Sequence, residues 1–236
     1  MDAWWAEQFG LPISMLWKTP VTIGMHAPHD DYSGVFVAAR DGAAHVSLPT
    51  WFEPADVPLL EAAVPESLVS RDFWTSFVPT AEMTVLGPAV HAFTDDEPDH
   101  EEEELAAVQL LQIGDLGELQ PAVGPAAWDE SGFSHASGPV HALVEGDEMV
   151  VAAAHLATFL DRPGDLGVLV HPDRRGQGLG GIVGGAATRT AVRRLGLARW
   201  RARADNPASR ALSRRLGFED YCLQLAVRPS DEQVTV

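Results

Sequence analysis

Apolar residues in the second half of the chain switch between the period of a strand and the period of a helix, and this switching predicts the architecture. Blocks at 106–113, 139–145, 148–159, 165–170, 198–204 and 218–227 carry the strand pattern, while 115–128, 179–195 and 207–216 carry the helical one. Glu145-Gly146-Asp147 offers turn residues between two apolar runs, so 139–159 reads as a hairpin. Along 198–204, Trp200 and small alanines alternate with Arg199, Arg201 and Arg203, which predicts one buried and one charged face. Asp205-Asn206-Pro207 follows, with Asn206 placed to cap a helix whose first turn suits Pro207. Earlier in the chain, strands are predicted at 21–26, 34–39, 43–48 and 83–93, with a helical stretch near 54–63 started by Pro54. Between the halves, DDEPDHEEEE at 95–104 joins eight carboxylates and is expected not to pack. It divides an N-terminal accessory α+β domain, 1–99, from a C-terminal domain, 100–236. The predicted class is α/β in the broad sense (α+β), a mixed central sheet covered by helices.

Composition narrows the chemistry. At 236 residues and 46% hydrophobic content, the chain is long enough to bury a core. The opening MDAWWAEQFGLPISMLWK has no basic leader and no apolar run of membrane-spanning length, so a soluble, cytoplasmic chain without a membrane partner is expected. Cys222 is the single cysteine, which excludes an internal disulfide and a cysteine-based zinc cluster; no His or carboxylate pair has ligand-like helical spacing, so no metal is expected. A net charge of −18 argues against nucleic acid. Its distribution says more. Residues 1–159 hold three basic side chains against twenty-six acidic ones, whereas residues 160–236 hold thirteen arginines against eight acids. The last third is suited to a small polyanion, and the acidic remainder to a cationic or amine-bearing partner.

The polyanion has an obvious seat. VLVHPDRRGQGLGG, residues 168–181, runs from an apolar strand through Arg174 and Arg175 into four glycines at the mouth of the longest helix. Helix N-termini present unpaired amides and a positive dipole end, and glycines let phosphate oxygens approach several amides at once. Gly176-Gln177-Gly178-Leu179-Gly180-Gly181 formally fits a dinucleotide fingerprint, GxGxxG. That reading fits poorly, because His171 to Arg175 separate the strand from the first glycine and Asp205 lies 29 residues past Gly176. Arg175 to Gly180, preceded by Val170-His171-Pro172, instead resembles the RxxGxG phosphate loop of the GNAT superfamily of acyl-CoA-dependent N-acyltransferases. Asp205-Asn206-Pro207 through Leu216-Gly217-Phe218 resembles the second signature of the same superfamily. The resemblance covers roughly residues 105–228; before it, strand lengths suggest an N-terminal part that is a degenerate copy of the GNAT fold.

The resemblance implies acetyl-CoA as acyl donor. Its pantetheine arm would lie along the backbone of Val168, Leu169 and Val170. Its diphosphate would sit on Arg175, Gly176, Gln177, Gly178, Leu179, Gly180 and Gly181. Asn206 would reach the cofactor near the thioester, with a plain helix cap as the other role open to it. The arginines at 193, 194, 210, 214 and 215 lie on the two flanking helices. The family's tyrosine acid, seven positions past the Asn, is Ser213 here, a far poorer acid than a phenol. Tyr221 and Ser213 therefore stand as candidates on the leaving-thiol side. Asp165 and His155 stand as candidate bases, with turn and core roles as their alternatives; His135, His141, Glu145 and His171 rank lower. The expected activity is acetyl transfer from acetyl-CoA directly to a small-molecule or peptide amine through a ternary complex, by a monomer or homodimer. The alternative is a non-catalytic acyl-CoA sensor or interaction module.

Overall fold

The computed structural model describes residues 1–26, 32–77, 83–146, 149–158 and 163–230. Along the chain run α1 (Asp2–Gln8), β1 (Val21–Met25), β2 (Val35–Arg40), β3 (Ala43–Leu48), α2 (Val57–Glu61), α3 (Arg71–Phe77) and β4 (Met83–Thr94). Then follow α4 (Glu102–Ala106), β5 (Gln109–Gln112), α5 (Leu119–Val123), α6 (Pro125–Glu130), β6 (Pro139–Glu145), β7 (Met149–Thr158) and β8 (Gly164–Val170). The chain closes with α7 (Leu179–Leu195), β9 (Ala198–Arg203), α8 (Pro207–Arg215) and β10 (Glu219–Pro229). Asp147 and positions 148 and 159 of the predicted hairpin lie outside the described residues.

Two compact units result. Among the described residues, the first holds those of 1–91, 202–205 and 220–230; the second holds those of 92–201 and 206–219. The division therefore falls just before the acidic run rather than within it, and two C-terminal segments join the N-terminal unit. The run packs because α7 supplies counter-charge: Arg193 donates to both oxygens of Glu97 (2.8 and 2.9 Å), and Arg189 pairs with Glu97 and Glu102. Three glutamates in its first turn also suit α4 by opposing the helix dipole, which is why a helix occupies 102–106 and β5 starts only at Gln109. The predicted helix over 115–128 breaks into α5 and α6 because Gly124 takes φ +80 and Pro125 starts the next helix.

In the first unit the strands run in the order β1-β3-β2-β10-β4. β2 and β3 form an antiparallel hairpin closed by Asp41 and Gly42, both left-handed (φ +52 and +77), while β1 pairs with β3 in parallel. Val35, Val37, Val46, Leu48 and Leu225 pack with Leu60, Leu68 and Trp74 from the helical side. Trp5 of α1 stacks on Tyr221, beside Phe9, Phe36 and His91.

In the second unit the order is β9-β8-β7-β6-β5, with β8 parallel to β9 and the other pairs antiparallel. One face carries Leu169, Ala153 and Val140 against Leu119, Trp128 and Phe133 of the α5–α6 side. On the other face α7 and α8 pack through Val168, Val170, Trp200, Leu212 and Leu216. Arg199, predicted on a solvated face, is only 1% exposed; it is matched across the sheet to Asp165, which accepts its Nε hydrogen at 2.9 Å. Among the described residues, no helix is long and apolar enough to cross a membrane.

Candidate active site

β8 ends where Pro172 starts a single 3-10 turn, steadied by the His171 ring, whose Nδ1 accepts from the Asp173 amide at 3.3 Å. The chain then returns through Arg175 into the glycines. Gly176 and Gly178 take φ +77 and +82, values that side-chain-bearing residues rarely adopt, and nothing lies within 4 Å of where their Cβ atoms would be. Residues 175–178 are exposed. The Gly181 amide is engaged, donating to the Gly178 carbonyl at 2.8 Å. The amides of residues 176–180 donate to no group among the described residues. Five consecutive amides, the first three of them on exposed residues, thus lead into the positive end of a 17-residue helix.

The remaining glycines serve packing. A Cβ on Gly180 would approach Val170 to 3.2 Å, and one on Gly184 would approach Leu216 to 3.0 Å, so both set how closely α7 lies on β8 and α8. A Cβ on Gly185 would strike the His100 ring at 2.4 Å, which makes α7 the bed of the acidic segment as well.

Just before this turn the sheet opens. β8 and β9 are matched at Gly164↔Ala198, Asp165↔Arg199 and Leu166↔Trp200, and no further. Residues 167–170 remain paired to β7 on their other edge, from His155↔Gly167 to Ala152↔Val170. Backbone groups of Val168, Leu169 and Val170 therefore border a fork leading to the amide turn. Gly167 stands at its base, where a Cβ would meet the Ser131 carbonyl oxygen at 1.8 Å.

The candidate proton-transfer groups are placed as follows. Asp165 sits in β8, not in a turn. Burial alone would raise its carboxyl, but Arg199 and Arg201 and the Arg199 hydrogen bond outweigh it and hold the group below its ordinary value. His155 donates Nε2–H to the Ser131 carbonyl at 2.8 Å, which leaves Nδ1 as its basic atom, buried and without a hydrogen-bond partner. Burial pulls its proton affinity down, with the Ser131 bond and Asp165 opposing. Ser213 is 2% exposed and its hydroxyl donates to the Arg210 carbonyl at 3.0 Å. Tyr221 belongs to the first unit; its hydroxyl donates to Asp2 at 2.6 Å and accepts from the Trp17 indole at 3.0 Å, under the Arg40 guanidinium. Burial raises that phenol far above its ordinary range, and Asp2 adds to the effect.

Asn206 does cap α8, accepting from the Ser209 amide at 3.1 Å, and it also donates its Nδ2 hydrogen to Glu130 at 3.3 Å. Glu130 carries no signal in the sequence, since only folding joins positions 76 residues apart. Of the two rim arginines, Arg174 is paired with Glu145 at 2.9 Å, and Arg175 is exposed at the turn itself.

The profile of the acetyltransferase (GNAT) family matches residues 95–218, more than half of the chain. The chain belongs to the GNAT acetyltransferase family. One solved structure agrees in fold, and two others are similar to the chain. A Drosophila protein superposes with a TM-score of 0.51 at 16% identity, covering 84% of this chain and 75% of its own. A GCN5-related N-acetyltransferase from Kribbella flavida gives 0.44 at 20% identity over 85% of this chain and 88% of that one. A GNAT-family acetyltransferase from Colwellia psychrerythraea gives 0.44 at 15% identity over 63% and 58%. Curated proteins yield no sequence match. The mixed sheet flanked by helices is the GNAT fold, and the chain is an acyltransferase of that family.

Proposed function

We propose that this GNAT acyltransferase uses acetyl-CoA as donor and transfers the acetyl group directly to an amine in a ternary complex. The observation that carries the reading is the run of unengaged amides at residues 176–180, continuous with the open edge of β8 past Leu166. Unengaged amides at a helix N-terminus bind diphosphate oxygens, and the exposed Arg175 adds charge at the rim. The β8 edge at 168–170 offers strand-type hydrogen bonds to the amide groups of a pantetheine arm. Acetyl-CoA brings an activated acetyl thioester; the protein holds it, excludes water at the fork and presents the acceptor nitrogen. The Ser213 and Tyr221 hydrogens are already committed elsewhere, so the departing sulfur takes its proton from the acceptor nitrogen or from solvent.

The same commitment favours a second reading, an acyl-CoA sensor that binds without turnover. Calorimetry decides the shared element: micromolar or tighter affinity for acetyl-CoA is expected, and no heat with no thermal shift would remove both readings. Release of CoA thiol on adding primary amines then separates enzyme from sensor.

A further inference from the structure

We infer that Arg201 of β9 holds an anionic group of the acceptor, so that the site takes amines that also carry a carboxylate; the inference rests on the proposed acetyl transfer. Direct transfer requires both substrates to be present together, and so to reach the β8–β9 fork by different entrances. The donor's diphosphate seat leads into α7, which lies with Val168 and Val170 on one face of the sheet, so the acceptor comes from the other, the α5–α6 face. Alternation along the strands decides which side chains it meets there. Trp200 turns toward α8, where its indole donates to the Ser209 hydroxyl at 2.9 Å, so its neighbours Arg199 and Arg201 stand on the acceptor's face. Arg199 is engaged by Asp165.

Arg201 is the first β9 residue past the last β8–β9 match, and so stands at the mouth of the fork. The β8 residue one step past the same match is Gly167, which has no side chain to fill the opening; the His155 ring lies over it from β7, fixed by its Nε2–H bond to the Ser131 carbonyl. Arg201 is exposed and makes no hydrogen bond or ion pair among the described residues. Its charge is felt across the row. Burial is the main influence lowering the proton affinity of His155 and Arg201 acts in the same direction, while on Asp165 it joins Arg199 against burial in favouring the ionised form. A guanidinium so placed offers a planar fork of donors that fits a carboxylate by two parallel bonds. The substrate class follows: a small amino acid, whose carboxylate rests on Arg201 while its amine reaches the donor at the fork.

The test compares glycine, β-alanine and 4-aminobutyrate with their amides, which keep the amine and the chain length and lose the negative charge. With wild-type protein, kcat/KM for the best of the three acids should exceed that for its amide at least about tenfold. Arg201→Gln should remove the preference, lowering the acid about 10- to 100-fold and leaving the amide unchanged. Arg201→Lys keeps the charge without the two-pronged geometry and should recover part of the loss. Acetyl-CoA affinity by calorimetry and Tm should match wild type in both variants, because the replaced side chain is exposed. Unchanged turnover of the acids in Arg201→Gln overturns the inference. So does an equal fall for acids and amides, which marks a structural role, a wild-type protein that prefers the amides, or one that binds acetyl-CoA and acetylates none of the six amines. Wild-type protein that does not bind acetyl-CoA overturns the parent reading and this one with it, at the calorimetric step.

Discussion

Replacing Asp165 by Asn should cost the fold about 3–5 kcal/mol. Arg199 is 1% exposed and donates Nε–H to Asp165 at 2.9 Å. The Asn side chain keeps the shape but removes the carboxylate charge that Arg199 Nε–H is bonded to, so an interior guanidinium loses that share of its compensation. Breaking one side of a buried pair costs about 3–5 kcal/mol, far above the ~0–1 kcal/mol of an exposed pair. For a protein of this size that is about 6–20 °C in Tm, at roughly 2–4 °C per kcal/mol. Urea unfolding of the variant at neutral pH measures it. Removing both charges, as in Asp165→Leu with Arg199→Met, should restore most of the loss. The pH dependence has a fixed sign. The carboxyl is held below its ordinary 3.8 in the folded state, so its contribution is complete above 3.8 and is lost as pH falls through the lowered value. A stable Asp165→Asn protein, within about 1 kcal/mol of wild type, would refute the argument; if it were stable yet inactive, Asp165 would belong to the chemistry instead.

Gly178→Asp should fold, since the site is open, yet lose at least about a hundredfold in acetyl-CoA affinity by setting a carboxylate against the diphosphate, whereas Gly180→Asp should unfold by burying a charge against Val170 and Leu212. Equal affinity in Gly178→Asp, read by calorimetry, would place the cofactor elsewhere. Gly185→Ala should push His100 off α7 and speed amide exchange across 97–104, with α7 itself protected; unchanged exchange would show the acidic segment held by its ion pairs alone. His45 is 1% exposed, accepts from the Trp17 amide and has its proton affinity lowered by burial from 6.5 to about 4. The unfolded chain therefore binds that proton first, and stability should decline as pH drops below 6.5, by up to about 3 kcal/mol near pH 4. His45→Gln should remove that share of the slope, and an identical pH profile in urea would contradict it.

The sequence by itself determined the elements that rest on local chemistry. Residues 179–195 form a helix with the predicted bounds because the apolar period is long and a glycine stands at each end; Pro207 and Asn206 start α8 as their backbone preferences dictate. The turn at 176–180 was equally legible, since glycines at left-handed positions are a property of the chain alone. Short helices such as α1 and α3 were not, because their stability comes from tertiary packing of residues such as Trp5 and Trp74 rather than from helical period. Only the tertiary structure decided what each charge does. Whether Asp165 is a base or half of a buried pair depends on a strand 34 residues away, and whether the acidic run stays solvated depends on arginines up to 96 residues downstream. Asn206 and Glu130, 76 residues apart, meet in the same way. Electrostatic partners act through space at a few ångströms, and sequence spacing carries no record of that distance.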